Sequence, residues 1–257
     1  MNDCLAGGEA VDPRAGPDPV AFIRANMRLM QVPSLPEIRL YTAHPGSGLR
    51  RLTDPEGLTN PEGITGSEGQ GFEPGREPDE ETEADENEPQ PPYWAYAWAG
   101  GAVLARYIID RPQTMAGRRV LDLGAGSGLV GIAAAKAGAS EVIAAEIDRN
   151  GVAALGLNAA ANGVAMTVMT RDITGGSPPA VDVVTVGDVF YGQDVADRVI
   201  PFLERCLDTG IEVLVGDPGR AYLPRSRLRL LAEYKVPDFG QTKGSALTPS
   251  GVFRFEG

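Results

Sequence analysis

The sequence predicts an α/β fold in which a mostly parallel sheet has helices on both faces. Short apolar strand patterns alternate with helical patterns from residue 118 onward, and a glycine-rich loop joins the first strand to its helix. Parallel strands are expected near residues 118–123, 141–147, 164–169, 181–187 and 211–216. Helices are expected near residues 128–137, 150–162 and 194–208.

Two flanking patterns complete the predicted domain of residues 92–257. Residues 93–98 and 102–109 have the pattern of an entry helix before the first strand. Residues 227–234 and 252–255 are separated by a Gly- and Pro-rich connection, which predicts an antiparallel pair at the sheet edge. The sheet is therefore expected to have seven strands, mostly parallel, with an antiparallel C-terminal strand.

The N-terminal part differs in composition from this domain. Residues 1–16 are small and polar and are expected to form a disordered N-terminus. Residues 17–52 are predicted to hold a helix and then a short strand. The helix carries apolar side chains at helical spacing up to Met30 and is expected to end at Pro33, whereas residues 37–41 alternate like a strand.

The net charge of −12 on the 257-residue chain comes from one segment. Residues 54–92 contain 13 Asp and Glu against one Arg, so 22 acidic and 22 basic residues are left elsewhere. Few large apolar groups occur among residues 53–91, which predicts a disordered acidic insert. A solvated linker is the simpler interpretation and a docking tail for a basic partner the alternative. The charge argues against nucleic acid as a partner.

Several protein classes do not fit this composition. No apolar run approaches the ~20 residues of a membrane span, and Met1 is not followed by the basic and apolar blocks of a signal peptide. Cys4 and Cys206 lack metal-site spacing, so no metal is expected and a reducing, cytoplasmic compartment is predicted. His44 is the single histidine, which argues against a Ser-His-Asp mechanism. No membrane partner is expected, and the chain is expected to be a monomer.

A ligand loop is predicted where the first strand ends. The strand reaches Asp122 and then enters a loop with glycine at every second position. The loop residues predicted to bind a cofactor, beside Asp122, are Gly124, Ala125, Gly126 and Gly128. Such a strand–loop–helix lets a ligand lie against bare backbone, with amides at the helix N-terminus facing its negative end.

Two cofactor classes compete for this loop. Residues 126–131 fit the dinucleotide pattern G-x-G-x-x-G, in which the first glycine directly follows the strand. Here the strand ends at Leu123, so the pattern is D-x-G-x-G-x-G, which resembles the S-adenosylmethionine loop of class I methyltransferases. Asp122 would repel a pyrophosphate and attract a sulfonium with its ammonium group. S-adenosyl-L-methionine is therefore the predicted cofactor, with an NAD(P)-dependent oxidoreductase as the alternative.

Acidic residues at later strand ends extend the predicted cofactor site. Glu146, about twenty residues after the loop, is expected to accept the ribose hydroxyls. Asp148 is a weaker candidate, because a helix N-cap explains it as well. Asp172 follows the third strand and is expected to accept from the adenine amino group while Ile173 covers the ring; a plain loop acid is the alternative for Asp172.

The end of the fourth strand is predicted to carry the chemistry. The sequence there reads D-x-x-Y, with Asp188 and Tyr191, and ligands of open α/β sheets lie at such strand ends. A lysine with a pKa near 10.4 must lose its proton before attack. Asp188 is therefore expected to lie near the transferred methyl group, as a cofactor-binding residue, and to hold and orient the amine. The proton is expected to pass to water or to Tyr191. A structural strand-end cap is the alternative for Asp188.

Two further motifs border this region. Trp94 and Trp98 precede the first strand, and Trp94 is expected to wall the cofactor site near the sulfonium; core packing is the alternative for both. Residues 216–220, G-D-P-G-R, follow the fifth strand, where a plain turn and a rim of the site are both compatible with the sequence.

From residue 92 onward the chain resembles the electron transfer flavoprotein β-subunit lysine methyltransferases, a seven-stranded class I group. The motifs that carry the resemblance are P-Y-W-A at 92–95, G-G at 100–101, L-A-R-Y at 104–107, the glycine loop, G-D-V-F-Y at 187–191 and G-D-P-G-R at 216–220. The last two motifs together are specific to the group, whereas the glycine loop alone indicates only a methyltransferase.

The resemblance implies methylation of a protein lysine at Nε. The flavoprotein β subunit is the expected partner, and a ribosomal protein is a further candidate. The acidic insert departs from the compact pattern of the group. A small-molecule enzyme like nicotinamide N-methyltransferase shares the early motifs and is the second interpretation, and a non-catalytic cofactor-binding module is the third.

Overall fold

The protein, described from a computed structural model over residues 17–49, 52, 92–237 and 248–257, is built around a seven-stranded sheet. The strands of this sheet are β3 (Arg119–Leu123), β4 (Glu141–Ala145), β5 (Thr167–Met169), β6 (Val183–Gly187), β7 (Glu212–Asp217), β8 (Leu228–Val236) and β9 (Thr248–Phe255). Their order across the sheet is β5-β4-β3-β6-β7-β9-β8. This architecture confirms the predicted α/β fold class.

Five strands are parallel and the last two form the expected antiparallel pair. Strands β5, β4, β3, β6 and β7 pair in parallel register, for example Val120 with Val142 and with Val183. Strand β9 pairs antiparallel with both β7 and β8. The pair therefore does not lie wholly at the edge, because β9 is inserted between β7 and β8. Of these two strands, only β8 is an edge strand.

Helices cover both faces of the sheet because successive strand residues point to opposite sides. The helices are α1 (Pro19–Asn26), α2 (Ala99–Asp110), α3 (Leu129–Lys136), α4 (Arg149–Asn162) and α5 (Gln193–Asp208). Val183 of β6 packs into a core shared with α2 and α3, whereas Val184 packs with α5 against the other face. The strand patterns in the sequence are continuous apolar runs for this reason.

The segment of residues 93–109, predicted as an entry helix, is helical over a shorter length than expected. A single 3-10 turn occupies Tyr93–Ala95, and Tyr96 is extended, with φ −133° and ψ 153°. Helix α2 begins only at Ala99, after Trp98. The first part of the predicted helix is therefore a separate turn, which leaves its aromatic side chains at the carboxyl side of the sheet.

The N-terminal segment corrects one prediction. Helix α1 ends at Asn26, and Met30 lies in β1 (Arg28–Val32), which forms a hairpin with β2 (Leu35–Thr42). Met27 already has extended dihedrals, φ −109° and ψ 161°. The helical spacing up to Met30 was misleading because hydrogen-bonded pairing with β2 in the hairpin determines the conformation of residues 28–32.

The N-terminal segment is fastened to α4 by two asparagines. Asn158 Oδ1 accepts from the Tyr41 amide at 2.7 Å, and its Nδ2 donates to the Ser127 carbonyl of the glycine loop at 2.8 Å. Asn162 exchanges hydrogen bonds with both main-chain groups of Arg39. The hairpin thereby supports the loop predicted to hold the cofactor.

The predictions for residues 1–16 and 53–91 lie outside the described residues. Within the described ranges, no helix combines the length and apolar character needed to cross a membrane. In the same part of the chain, no three His, Cys, Asp or Glu side chains are grouped so as to hold a metal ion.

Candidate active site

The glycine loop leaves the end of β3 in a conformation that requires glycine. Gly124, Gly126 and Gly128 have φ angles of 67°, 51° and 80°, in the left-handed region that other residues rarely adopt. Gly128 is also the residue that caps the N-terminus of α3. The loop therefore offers a main-chain surface without side chains at the helix N-terminus, as the sequence predicted.

Glu146 lies against this loop because β3 and β4 are parallel neighbours, with Leu123 opposite Ala145. Its Oε2 accepts from the Gly126 amide at 2.7 Å, and its Oε1 accepts from the Asp148 amide at 2.8 Å. Burial raises the pKa of the Glu146 carboxyl above its usual value. Gly151 leaves room for it, since a Cβ there would lie 3.0 Å from Glu146 Cγ. The predicted pairing of loop and acid is formed.

The neighbours of Glu146 divide into structural and exposed groups. Asp148 caps α4, accepting from the amides of Asn150 and Gly151, so the N-cap interpretation is confirmed. Ile147 is 64 % exposed beside the carboxylate. Ile173, expected to cover an adenine ring, is instead buried in the core under β3 and α5. Ile147 is therefore the better placed apolar side chain, and its position directly after the acid was an available sequence signal.

Asp122 is turned into the protein. Its Oδ2 accepts from the Gly131 amide at 2.8 Å, its Oδ1 accepts from the Thr185 hydroxyl at 3.2 Å, and the residue is 2 % exposed. Burial raises the pKa of the Asp122 carboxyl to about 7. These contacts favour a role in holding α3 onto the sheet over the direct cofactor contact suggested by charge, because both carboxylate oxygens are used internally.

Asp172 is exposed and engaged locally. Its Oδ1 accepts from the Thr174 amide and hydroxyl at 2.8 and 2.6 Å, and Arg198 Nη1 lies 3.7 Å from its Oδ2. The Thr174 hydroxyl is the largest influence that lowers the pKa of this carboxyl. Asp172 thus shapes the turn after β5, and its contact with adenine stays a prediction.

Asp188 has an unusual backbone and a buried, paired carboxylate. Its φ of 59° is the single positive value among the non-glycine residues that the structure describes. Oδ2 accepts from the Gly100 amide at 2.7 Å, and Oδ1 accepts from Arg220 Nε at 2.7 Å. The Asp188 side chain is 5 % exposed. A residue held in this strained region by three surrounding elements is typical of a functional site.

Two glycines let the helix approach Asp188 so closely. A Cβ on Gly100 would overlap the Gly216 carbonyl oxygen and lie 2.9 Å from the Asp188 amide. A Cβ on Gly216 would in turn overlap the Gly100 carbonyl oxygen. The N-terminus of α2 and the end of β7 therefore meet backbone to backbone, which places the positive end of the helix dipole on the Asp188 carboxylate.

The turn after β7 positions Arg220. Asp217 Oδ1 accepts from the amides of Gly219 and Arg220 at 2.6 and 2.7 Å, and burial raises the pKa of the Asp217 carboxyl to about 6. A plain turn and a rim of the site were both open for residues 216–220, and the structure has a turn there that brings Arg220 to Asp188. Its consequence, the ion pair of Arg220 with Asp188, was missed, since the partners are 32 residues apart.

An aromatic cluster stands beside this ion pair. The Tyr191 ring stacks on Tyr93 at 4.9 Å between centroids, Tyr93 meets Trp98 at 5.8 Å, and Trp98 meets Tyr96 at 5.9 Å. The Arg220 guanidinium carbon lies 5.8 Å from the Trp98 ring centroid. Tyr93 belongs to the P-Y-W-A motif that the sequence analysis named, whereas Tyr96 was not singled out.

The structure favours one of the open alternatives for Tyr191 and one for Trp94. Desolvation raises the pKa of the Tyr191 hydroxyl to about 12, which favours its protonated form and therefore water as the acceptor of the lysine proton. Trp94 is 2 % exposed and packs with Ile23 and Leu157, which favours the core-packing interpretation. Its main chain borders the loop, since Trp94 Cα would lie 3.7 Å from a Cβ on Gly126.

The site thus has two parts. We call residues 124–128 with Glu146 the cofactor half, and Asp188, Tyr191, Tyr93, Trp98 and Arg220 the substrate half. The strand order, the glycine loop and the acid at the end of β4 define an S-adenosylmethionine-dependent methyltransferase of class I. The family model of ribosomal protein L11 methyltransferases (PrmA) matches residues 106–187, which include the loop and Glu146.

Curated relatives match beyond that segment. The electron transfer flavoprotein beta subunit lysine methyltransferase of Rattus norvegicus is 38 % identical over 170 residues, 64 % of this chain and 67 % of the relative. The protein of that name from Danio rerio is 40 % identical over 64 % of this chain and 66 % of its own length. That of Xenopus laevis is 37 % identical over 64 % and 70 %.

The chain belongs to the family of electron transfer flavoprotein beta subunit lysine methyltransferases. The matched part spans about two thirds of these relatives. Among solved structures, a ribosomal protein L11 methylase from Lactobacillus delbrueckii subsp. bulgaricus is similar with a TM-score of 0.46 and 19 % identity, over 63 % of this chain and 81 % of that chain. A putative RNA methyltransferase from Pyrococcus horikoshii gives a TM-score of 0.48 and 20 % identity, over 65 % and 89 %.

Proposed function

We propose that this protein transfers a methyl group from S-adenosyl-L-methionine to the Nε atom of a lysine on the electron transfer flavoprotein β subunit. The observation that carries the proposal is Asp188 of the D-x-x-Y motif, held at the end of β6 beside the aromatic rings of Tyr93, Trp98 and Tyr191. Membership in a family whose named members act on that subunit supports the choice of substrate.

The residues of the cofactor half fit S-adenosylmethionine. The glycine loop lacks side chains where a Cβ on Gly124 would already lie 3.1 Å from Val189 Cγ1. Glu146 supplies carboxylate oxygens beside the loop, which is the acceptor chemistry that ribose hydroxyls need. Exposed Ile147 supplies an apolar surface for the base. When bound, S-adenosylmethionine supplies a methyl group activated by a sulfonium.

The residues of the substrate half fit a cationic amine. The faces of Tyr93, Trp98 and Tyr191 attract a cation or a methylated ammonium through their ring quadrupoles. Asp188 supplies a carboxylate at the end of β6, and each carboxylate oxygen has two acceptor sites for donors such as an amine. A lysine side chain that enters between the rings would thus donate to the Asp188 carboxylate, and this hydrogen bond would fix the direction of the lone pair on lysine Nε.

The proposed methyl transfer does not need a side chain of the protein to remove the lysine proton. The lysine proton passes to water before attack, since Tyr191 stays protonated. The Nε lone pair then forms the bond to the methyl carbon as the carbon–sulfur bond breaks, and the electron pair of that bond remains on sulfur. In-line positioning supplies most of the acceleration, because bringing reactants together in the right geometry removes an entropic barrier.

Incubation of the purified protein with labelled S-adenosylmethionine and the purified flavoprotein β subunit tests the proposal. Label is expected on the β subunit, and mass spectrometry is expected to place it on a lysine. Ribosomal protein L11 is the comparison substrate, because the L11 methyltransferase of Rhodopseudomonas palustris (strain BisB5) is 50 % identical over 62 residues, 24 % of this chain. Label on L11 alone, or on a small metabolite alone, would reject the proposed substrate.

Other predictions are tested by the same preparation. Binding of NAD(P) without methyl transfer would indicate an oxidoreductase, and cofactor binding without transfer to any acceptor would indicate a binding module. We also propose that the protein is cytoplasmic and monomeric. Fractionation of cells and sedimentation of the purified chain are the corresponding measurements.

A further inference from the structure

The Asp188–Arg220 ion pair is a feature that methyl transfer by itself does not explain. An isolated carboxylate would hold the substrate ammonium more strongly. Instead, Arg220 Nε lies 2.7 Å from Asp188 Oδ1, with side-chain exposures of 15 % and 5 %. The turn of residues 216–220 is organised around this contact, because Asp217 fixes the amide of Arg220. The pair is therefore built into the fold and does not result from a chance surface contact.

The pair also has support on its other sides. The Gly100 amide donates to the second Asp188 oxygen, and the Trp98 ring lies under the guanidinium. Trp98 is itself fixed by a 2.7 Å hydrogen bond from its Nε1 to the Tyr93 carbonyl. The ring that carries Arg220 thus belongs to the aromatic cluster that would receive the substrate lysine, so the guanidinium lies close to the place of reaction.

We propose that Arg220 is a positioning residue that neutralises Asp188, so that the bound lysine loses its proton near physiological pH. This inference rests on the proposed lysine methylation. A lysine ammonium facing a lone carboxylate is stabilised and resists deprotonation. With Arg220 present, the positive guanidinium opposes the negative carboxylate at the distance of the substrate. Asp188 then accepts a hydrogen bond without trapping the amine in its unreactive, protonated form.

Other charged groups also face this region. Asp217 lies below the pair on β7, and its raised pKa of about 6 reflects burial first and the neighbouring Asp188 second. Asp194 on α5 raises the pKa of both Tyr93 and Tyr191, while Arg220 lowers that of Tyr93. Glu146 and Arg198 act on Tyr191 with opposite signs. All of these groups are retained in an Arg220 variant, so a change in pH dependence reports the guanidinium.

The test is the pH profile of single-turnover methyl transfer to the flavoprotein β subunit. Arg220→Gln is expected to move the rising limb to higher pH by about one to two units, since a unit charge a few ångströms away has an effect of this size. Arg220→Lys retains a cation and is expected to keep the limb near its wild-type position even if the rate falls. Arg225→Gln is the matched control, because Arg225 bonds to Gly219 of the same turn but not to Asp188.

The outcomes separate charge from architecture. A rate that falls equally at every pH in Arg220→Gln, or a limb that moves equally in Arg220→Lys, would overturn the inference. Calorimetry with S-adenosylhomocysteine verifies that each variant is folded.

If wild type methylates no lysine, the proposed function fails, and the charge coupling is tested separately. In that experiment, ¹³C NMR follows the Asp188 carboxyl carbon, assigned with Asp188→Asn. Its titration is expected at higher pH in Arg220→Gln than in wild type. Identical titrations would reject neutralisation by Arg220.

Discussion

The cofactor half and the substrate half of the site differ in how their partners are joined. In the cofactor half, Glu146 binds the amide of Gly126, which is only 20 residues away in the loop that follows the neighbouring strand. In the substrate half, Asp188 binds Gly100 and Arg220, which are 88 and 32 residues away. The cofactor half is one local βαβ unit, whereas the substrate half needs three separate elements to converge. Changes in the two halves should therefore separate binding from transfer.

The largest effect is expected for Asp188→Asn. The side chain retains its shape but loses the charge that pairs with Arg220 and accepts the amine. Methyl transfer is expected to fall about a thousandfold, within the range for a group that acts on the reacting proton or amine. Cofactor affinity, measured by calorimetry, is expected to stay within about twofold, since Asp188 lies in the substrate half.

The control for this prediction is Asp194→Asn, whose carboxylate is 78 % exposed in the first turn of α5. It is expected to retain nearly full transfer. Normal turnover in Asp188→Asn would show that the carboxylate only caps the end of β6 and would remove the basis for the division into two halves.

Gly100→Ala probes the convergence itself. The new Cβ would overlap the Gly216 carbonyl oxygen and crowd the Asp188 amide, so α2 must move away from β7. A loss of about 2–3 kcal/mol in unfolding free energy is expected, typical of overpacking against backbone. Urea unfolding gives the number. Gly101→Ala is the matched control, because its Cβ would meet Val130 Cγ2 at a comfortable 3.9 Å. Equal stability of the two variants would contradict the close contact.

The glycine loop and its acid could be predicted because the signal is local. Positive φ angles need glycine, and parallel neighbours bring consecutive strand ends together, so the spacing from Gly126 to Glu146 carries the geometry. The contacts of Arg220 and Tyr93 could not be predicted in this way, although both residues lie in named motifs. A turn or an aromatic run carries no signal for the distant element that it contacts. Trp94 and Trp98 show the same limit. The sequence pattern treats them alike, but one ring lies in the N-terminal core and the other beside Arg220.

The buried carboxyl of Asp122, at the end of β3 below the cofactor half, is expected to make the stability of the protein depend on pH. Its native pKa of about 7 lies above the ordinary value of 3.8, so its contribution to stability is full below about pH 4 and is lost as the pH rises through 7. Asp122→Asn keeps an acceptor for the Gly131 amide without the ionisation. Relative to this variant, wild type is expected to lose about 2–3 kcal/mol of unfolding free energy between pH 5 and pH 8. Parallel urea curves at both pH values measure it; an unchanged difference would contradict the raised pKa.

The smallest effect is expected for Glu146→Gln. The loss of a charged acceptor for ribose should weaken cofactor binding about tenfold, the size of one charge-assisted hydrogen bond, while transfer at saturating cofactor changes little. Isothermal calorimetry and saturating kinetics separate the two quantities. Asp148→Asn, which preserves the N-cap of α4, is the control. If Glu146→Gln lowered the transfer rate at saturating cofactor but left cofactor affinity normal, the assignment of Glu146 to the cofactor half would be wrong.

The insertion of β9 between β7 and β8 has a consequence for the timing of folding during synthesis. The β7 edge stays unpaired until residues 248–255 emerge from the ribosome, and until then β8 has no strand of the sheet to join. The turn that carries Arg220 follows directly from β7. A nascent chain therefore has all residues of the cofactor half available well before the last strand that completes the sheet beside the Arg220 turn.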